Sequence, residues 1–289
     1  MARSACRWLL ALGLFGCLSA EAASPVWAIR GAHNTVYLAG SIHLLPEADA
    51  ALPPAFARAY ADSARLVMEL DLGKLDPADA LGTLLQHGGL PEGTNLREVV
   101  GAPRYARTSA AAAALDLPAA SMDQEAPWMV ALQLTELEYA RLGLDPQQGV
   151  EQQLLRRALA DHKSTAGLES LADEMGVFEA LTPAAQLRFL DMVLDDLDDT
   201  RNETRTVLAA WRRGDAARLA TLLAAEYHSF PALYDALVMD RNRHWLPEIE
   251  RLLQGDENCL VVVGALHLVG AGGLLEALRR DGFAPKQLD

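Results

Sequence analysis

The chain has 289 residues, of which 51% are hydrophobic and 22% charged, with a formal net charge of −14. That apolar content suffices for one large or two modest domains with a real core and excludes a disordered tail. So acidic a chain is also a poor match for nucleic acid or anionic membrane surfaces, whose phosphates ask for basic partners.

The opening 23 residues, MARSACRWLLALGLFGCLSAEAA, set Arg3 and Arg7 ahead of an apolar run from Trp8 to Leu18 and end in small residues. The pattern predicts a signal peptide over residues 1–23, cut after Ala22 or Ala23, whose apolar run is too short to span a bilayer. The expected location is outside the cytoplasm, periplasmic or secreted. An alternative takes LFGC as a lipobox, with Cys17 acylated and the mature chain a membrane-anchored lipoprotein. No later segment stays apolar for about 18 residues, so no transmembrane span is expected in the mature chain. Loss of the leader leaves a net charge of −15 and a single cysteine, Cys259. With no partner for a disulfide, Cys259 is expected to be a small buried hydrophobe.

Along the body, PVWAIRG and NTVYLAGSIH predict a hairpin with His33 in its turn. A helix follows in LPPAFARAYADSA, with Pro53 and Pro54 in the first turn. RLVMELDL, Arg65 to Leu72, predicts an apolar strand. Residues 73–255 are expected to be a mostly helical insertion, interrupted by one short strand candidate in KSTAGLES. The chain closes on a strand CLVVVGALH, a turn LVGAGG and a helix LLEALRRDG. The expected fold is α/β over residues 24–289: a central sheet built from the N- and C-terminal strands, with a large helical middle region.

Several familiar chemistries lack their motifs. There is no Gly-x-Ser-x-Gly elbow, no His-Glu-x-x-His, no paired Cys-x-x-Cys and no phosphate loop ending in Gly-Lys-Ser/Thr. GAGG follows a strand, but Leu275 stands where a dinucleotide fingerprint needs its third glycine. The acidic stretch Asp191 to Asp199 carries Met192, Val193, Leu194 and Leu197 between its acids and fits a helix with a solvated face, not a calcium loop. His33, His87, His162, His228 and His244 fall in turns or helix-rich stretches as surface or capping residues.

Two histidines stand apart. VYLAGSIH and LVVVGALH both end a strand in Gly-x-x-His, at Gly40–His43 and Gly264–His267. In RLVMELDL, Glu69 and Asp71 point to one face, and Glu69 is flanked by Met68 and Leu70. A carboxylate so placed needs a cation, because an unpaired buried charge is costly. His43, Glu69 and His267 make a His₂Glu set for a divalent metal, with positions left for water and substrate. Glycine three residues before each histidine lets the backbone approach the site. Two blander readings stay open: Glu69 as the ion-pair partner of Arg241 or another arginine, and both histidines as hydrogen-bonded core residues.

VYLAGSIHLLPEADAALPPAFARAYADSARLVMELDL resembles the opening of the TraB/PrgY/GumN family, which includes the Tiki metalloproteases. GVEQQLLRRALADHKSTAGLES is similar to its middle, and MDRNRHWLPEIERLL with CLVVVGALHLVGAGGLLEALRRDGFAPKQL to its close. The resemblance covers almost the whole mature chain. It implies a fold related to the erythromycin-esterase and ChaN-like groups. By position it implies His43 and His267 as metal ligands, Glu69 as ligand or general base, and Gly40 and Gly264 shaping the approach. Arg241 and Asn242 match a polar pair that orients substrate or stabilises developing negative charge, and Glu169 matches a further acid facing the cleft. Where relatives carry a glutamine, this chain has DEMG, Asp173 to Gly176.

The function expected is an exported, metal-dependent hydrolase, a peptidase, using a His-Glu-His site loaded with Zn²⁺, Mn²⁺ or Co²⁺. The substrate is a peptide or a small molecule. ChaN-like relatives bind haem and PrgY-like relatives damp a peptide pheromone, which implies the alternative: a non-catalytic protein that sequesters a peptide or haem in the same cleft.

Overall fold

The computed structural model describes residues 23–197, 200–228 and 230–289. The leader and its Cys17 lie outside the described residues. Among those described, no helix is long and apolar enough to cross a membrane.

The expected α/β architecture is present. β1 (Val26–Arg30) and β2 (Thr35–Ser41) form the predicted antiparallel hairpin, with His33 exposed in its turn. β3 (Leu45–Pro46) pairs only with β5 (Leu144–Asp145), in a separate small ladder. β4 (Arg65–Leu70), β6 (Ser164–Glu169) and β7 (Cys259–Gly264) join the hairpin and β8 (Lys286–Gln287) in a six-stranded sheet of order β6-β4-β7-β2-β1-β8. The pairs β6–β4, β4–β7 and β7–β2 are parallel, whereas β2–β1 and β1–β8 are antiparallel. β7 lies in the middle and is an unbroken apolar run, as a parallel strand covered on both faces must be. Leu260, Val261, Val262 and Val263 are fully buried, and Cys259 is buried and free.

Helices pack on this sheet and then build a core of their own. Pro54 sits at the first position of helix Pro54–Asp62, where its missing N–H is not needed. Trp245, Ile249 and Leu253 of helix Arg241–Leu253 lie in the sheet's core. A second core gathers Leu96, Trp128, Leu134, Leu190 and Leu233 from the helical middle. There Phe178 stacks on Trp128 and on Phe189, with ring centroids 5.3 and 5.9 Å apart.

The structure redraws three details. KSTAGLES supplies β6, so the helical stretch 73–255 carries one edge strand of the main sheet. The last long strand stops at Gly264, and Ala265–Leu268 is a helical turn, so His267 sits on that turn and not on strand. The departure coincides with a long-range contact: Gly264 N donates to Glu69 Oε1 at 2.6 Å, and the backbone leaves the ladder at that point. β4 likewise ends at Leu70, and Asp71 does not share the environment of Glu69. It accepts from Thr165 Oγ1 and from Lys74 Nζ, both at 2.7 Å.

Candidate functional site

In open α/β sheets the clefts outside the carboxyl ends of parallel strands are where ligands bind. Four of the predicted residues arrive there from four strands. His43 lies two residues beyond β2, Glu69 is next to last in β4, Glu169 closes β6 and Gly264 closes β7. Ser41 pairs with Gly264 across the β2–β7 ladder, so the two Gly-x-x-His segments leave neighbouring strands side by side. Gly264 sits at their centre. A Cβ there would lie 3.3 Å from Glu69 Oε1, 3.4 Å from His267 Cδ2 and 3.6 Å from His43 Nε2. Gly40 faces elsewhere: a Cβ on it would lie 3.0 Å from Ala265 Cα.

The two histidines are held differently. His267 is 7% exposed. Its Nδ1 lies 2.8 Å from Asn242 Oδ1, while Asn242 Nδ2 donates to the carbonyls of His267 and Gly272, both at 3.1 Å. Those two donations fix the amide, so Oδ1 accepts and the proton of His267 is on Nδ1. Nε2 then offers its lone pair to the cleft, where Arg241 Nη1 stands 3.3 Å away. Burial depresses His267 to about 4, with Arg241 and His43 adding to the effect against Glu69, and the ring is uncharged near neutrality. The Trp245 ring, 4.5 Å away between centroids, closes the other side. His43 has a side chain 60% exposed at the mouth, with Nδ1 2.8 Å from Glu151 Oε1. That carboxylate raises its pKa well above the ordinary imidazole range.

Arg241 gathers the acids. Its Nη2 donates to Glu69 Oε2 at 2.6 Å and to Glu169 Oε1 at 2.5 Å, and stands 3.9 Å from Glu174 Oε1. Trp245 lies under the guanidinium at 4.6 Å and donates from Nε1 to Glu169 Oε2 at 3.0 Å. Burial alone would raise Glu69, yet His267, Arg241, His43 and the Gly264 N–H hold it down at about 2. With His267 uncharged, Arg241 carries most of that balance near neutrality. Burial raises Glu169 despite Arg241, and it lifts Glu174 to about 7. The Glu69–Arg241 ion pair, open as an alternative in the sequence, is therefore part of the cleft itself. Arg241 follows directly on a π-helical turn, Asp235–Asp240, a distortion that recurs at functional sites.

Glu151 and Glu174 are functional candidates that the sequence reading passed over. Each carried a signal. In helix Val150–Ala160, Glu151 shares the i, i+3, i+4, i+7 stripe with the buried Leu154, Leu155 and Ala158. In helix Leu171–Glu179, Glu174 shares it with Leu171, Met175 and Phe178. An acid on an apolar stripe needs a partner inside. Glu138 has the same pattern in helix Pro127–Arg141, but it is met by Arg141 three residues on, away from the cleft.

The donor set fits a divalent cation on chemical grounds. Glu69, Glu151, Glu169 and Glu174 face Arg241 and His43, an excess of two negative charges when all four are ionised. Among the described residues, Glu69, Glu169 and Glu174 offer ligand atoms within 4.8 Å of one another, a group that includes neither His43 nor His267. Beside Glu169 and Arg241 a cavity of about 520 Å³ opens, with Leu168, Val177, Ala180 and Ala236 in its wall and His244 at its border.

A model of the TraB/PrgY/gumN family matches residues 25–287. Among curated proteins, the chain is 25% identical over 268 residues to YbaP of Escherichia coli (strain K12), covering 88% of this chain and 97% of that one. It is also 25% identical over 243 residues to YbaP of Shigella flexneri, covering 84% and 87%. Both relatives are described as uncharacterized proteins. No solved structure matches the chain.

Proposed function

The chain belongs to the TraB/PrgY/gumN family, and on that premise we propose that it is an exported, metal-dependent hydrolase that cleaves peptide bonds at the His43–Glu69–His267 cleft. One observation carries the reading. Both histidines have Nδ1 beside a side-chain oxygen at 2.8 Å, His267 in a hydrogen bond with Asn242 and His43 in an ion pair with Glu151, and both turn the opposite ring edge toward Glu69. Oxygen partners on the far nitrogen are what orient metal-ligating imidazoles and fix their tautomer.

His267 Nε2, Glu69 and His43 Nε2, the last on losing its proton, would hold Zn²⁺, Mn²⁺ or Co²⁺, with Glu169 as a further oxygen donor. A divalent ion there supplies an acidified water and a polarised carbonyl. The protein's own groups do the rest. Glu69, ionised at every physiological pH, is too weak a base to hold a proton there and supplies a ligand bond. Arg241, already aimed at the carboxylates, presents positive charge where an oxyanion develops. Glu174, near 7, is poised to take up and return a proton. Asn242 spends its amide on His267 and two carbonyls, which makes it an orienting residue. The cavity beside Arg241 gives a peptide room to lie. Export rests on the leader, residues 1–23, with acylation of Cys17 as the route to a membrane-anchored form.

Metal content by mass spectrometry tests the reading, on residues 24–289 loaded with Zn²⁺, Mn²⁺ and Co²⁺ and desalted, beside a His43→Ala/His267→Ala double variant. The expected result is near-stoichiometric metal in the first, none in the second, and peptide cleavage that a chelator abolishes and metal restores. Cleavage that persists in chelator sinks the proposal.

A further inference from the structure

We propose that Glu151 is a positioning residue which, with Gly149 and Val150, holds His43 at the mouth of the cleft with its Nε2 turned toward Glu69 and His267. The role in metal binding rests on the function proposed above, while the orienting role stands on geometry alone.

The start of helix Val150–Ala160 is fastened to the His43 segment at three points. Val150 N donates to the Ile42 carbonyl at 3.1 Å. Gly149 lies so close that a Cβ on it would meet the His43 carbonyl oxygen at 2.0 Å, which no other residue accommodates. Glu151 then reaches His43 Nδ1. At 2.8 Å two lone pairs would repel, so Nδ1 bears a proton. The exchange serves both groups. Glu151 is 7% exposed on a stripe of apolar residues, and its Oε1 meets His43 as an ion pair while no aligned hydrogen bond reaches it among the described residues. A carboxylate so buried is tolerable only against a cation. Burial would raise Glu151, and His43, with the Ser41 hydroxyl, holds it below the ordinary range.

The need for such a device follows from the contrast between the two rings. His267 is wedged by Trp245 and locked by Asn242, so packing alone limits its rotation. The side chain of His43 is 60% exposed, and solvent imposes no orientation on it. Without Glu151 the ring would sample rotamers and both tautomers, and the entropy of fixing it would fall on whatever binds Nε2. The helical middle thereby contributes to a site whose other predicted ligands come from the strands.

Nitrogen-15 NMR of the histidine rings, with Zn²⁺ affinity measured by chelator competition, tests this on wild type, Glu151→Ala and Glu151→Gln. Wild type should show an exchange-protected Nδ1 proton on His43 and another on His267. Glu151→Ala should lose the first, keep the second and bind Zn²⁺ about 10–100-fold more weakly. The surviving His267 signal reports that the fold is intact. Should Glu151→Ala fail to fold, Glu151→Gln, of the same shape, should retain the protected proton in part and lose less affinity. A His43 signal unchanged in either variant, or one lost with Zn²⁺ affinity unaltered, overturns the proposal. Absence of Zn²⁺ binding in wild type would instead overturn the metal reading, and the ring spectrum would still decide the role of Glu151.

Discussion

Glu174 is the group in the cleft whose charge changes near neutrality. Its folded pKa of about 7 lies above the ordinary 4.5, because burial disfavours the carboxylate more than Arg241 restores it. The folded state then holds the proton more tightly than the unfolded chain. Its contribution to stability is complete below pH 4.5 and is lost as pH rises through 7. Glu174→Gln removes that dependence. Against wild type, the variant should gain about 1–2 kcal/mol between pH 4.5 and 8, allowing for a side chain 26% exposed. Melting curves across that range check it, and parallel curves would contradict it. His267 acts in the opposite sense. Its folded pKa of about 4 lies below the ordinary 6.5, so its share is complete above 6.5 and is lost as pH falls through 4. Wild type alone would sum these opposed contributions with those of His43 and Glu226, both raised, which is why the variant comparison is needed. Sequence reading reached His43, Glu69 and His267 because strands announce their ends and alternate their faces. Glu151 and Glu174 were harder, since a buried acid on a helical stripe has the same spacing whether it lines a cleft, as these do, or meets an arginine on its own helix, as Glu138 does.

The elements assign different work to two glycines that look equivalent in Gly-x-x-His. The ladder pairs Ser41, not Gly40, with Gly264, and the one-residue offset turns Gly40 toward Ala265 and Gly264 toward the cleft. Gly264 has φ −48° and ψ 134°, a conformation open to any residue. Gly264→Ala should therefore fold with little loss while its methyl presses on Glu69 Oε1 and fills the space between it and the two imidazoles, and metal binding should fall. Gly40→Ala meets backbone at 3.0 Å, forces β2 away from the Ala265 turn, and should cost about 1–3 kcal/mol of stability. Thermal melts and metal titrations on the pair distinguish the two; a Gly264→Ala protein that binds metal like wild type would remove Gly264 from the site. The larger elements were legible for the same physical reasons. β7 is a run of apolar residues, the β1–β2 hairpin sets two β-rich runs around a short turn, and Pro54 opens its helix. β3, β5 and β8 are two residues long and leave no periodicity to read. The helical turn at His267 depends on a bond from Gly264 to Glu69, 195 positions away in the chain, which local pattern does not encode.

At the scale of the molecule, the proposed ligands are not shared evenly between the two cores. β2, β4, β7 and helix Arg241–Leu253 belong to the sheet's core; Glu69, Arg241 and Asn242 lie on them, and His43 and His267 just beyond the ends of β2 and β7. The helical core around Trp128 reaches the cleft through helix Leu171–Glu179, whose Met175 and Phe178 lie in that core while Glu174 faces Arg241. A ligand that binds only the folded state stabilises it by mass action, about 2.7 kcal/mol at a hundred times its Kd. That gain is felt where opening breaks the site. Cooperative units can open independently, so Zn²⁺ at saturation should slow hydrogen exchange most in β2, β4 and β7. It should act less on helix Leu171–Glu179 and least around Trp128. The carboxyl halves of the three strands matter most, because their N–H groups exchange only when the strand ends that bear the ligands separate. Mass-spectrometric exchange with and without Zn²⁺ measures the gradient, and the His43→Ala/His267→Ala protein should show none. Uniform protection of both cores would mean that the molecule opens as one unit. Protection centred on the helical core would place the metal elsewhere, and the strand-end site would have to be given up.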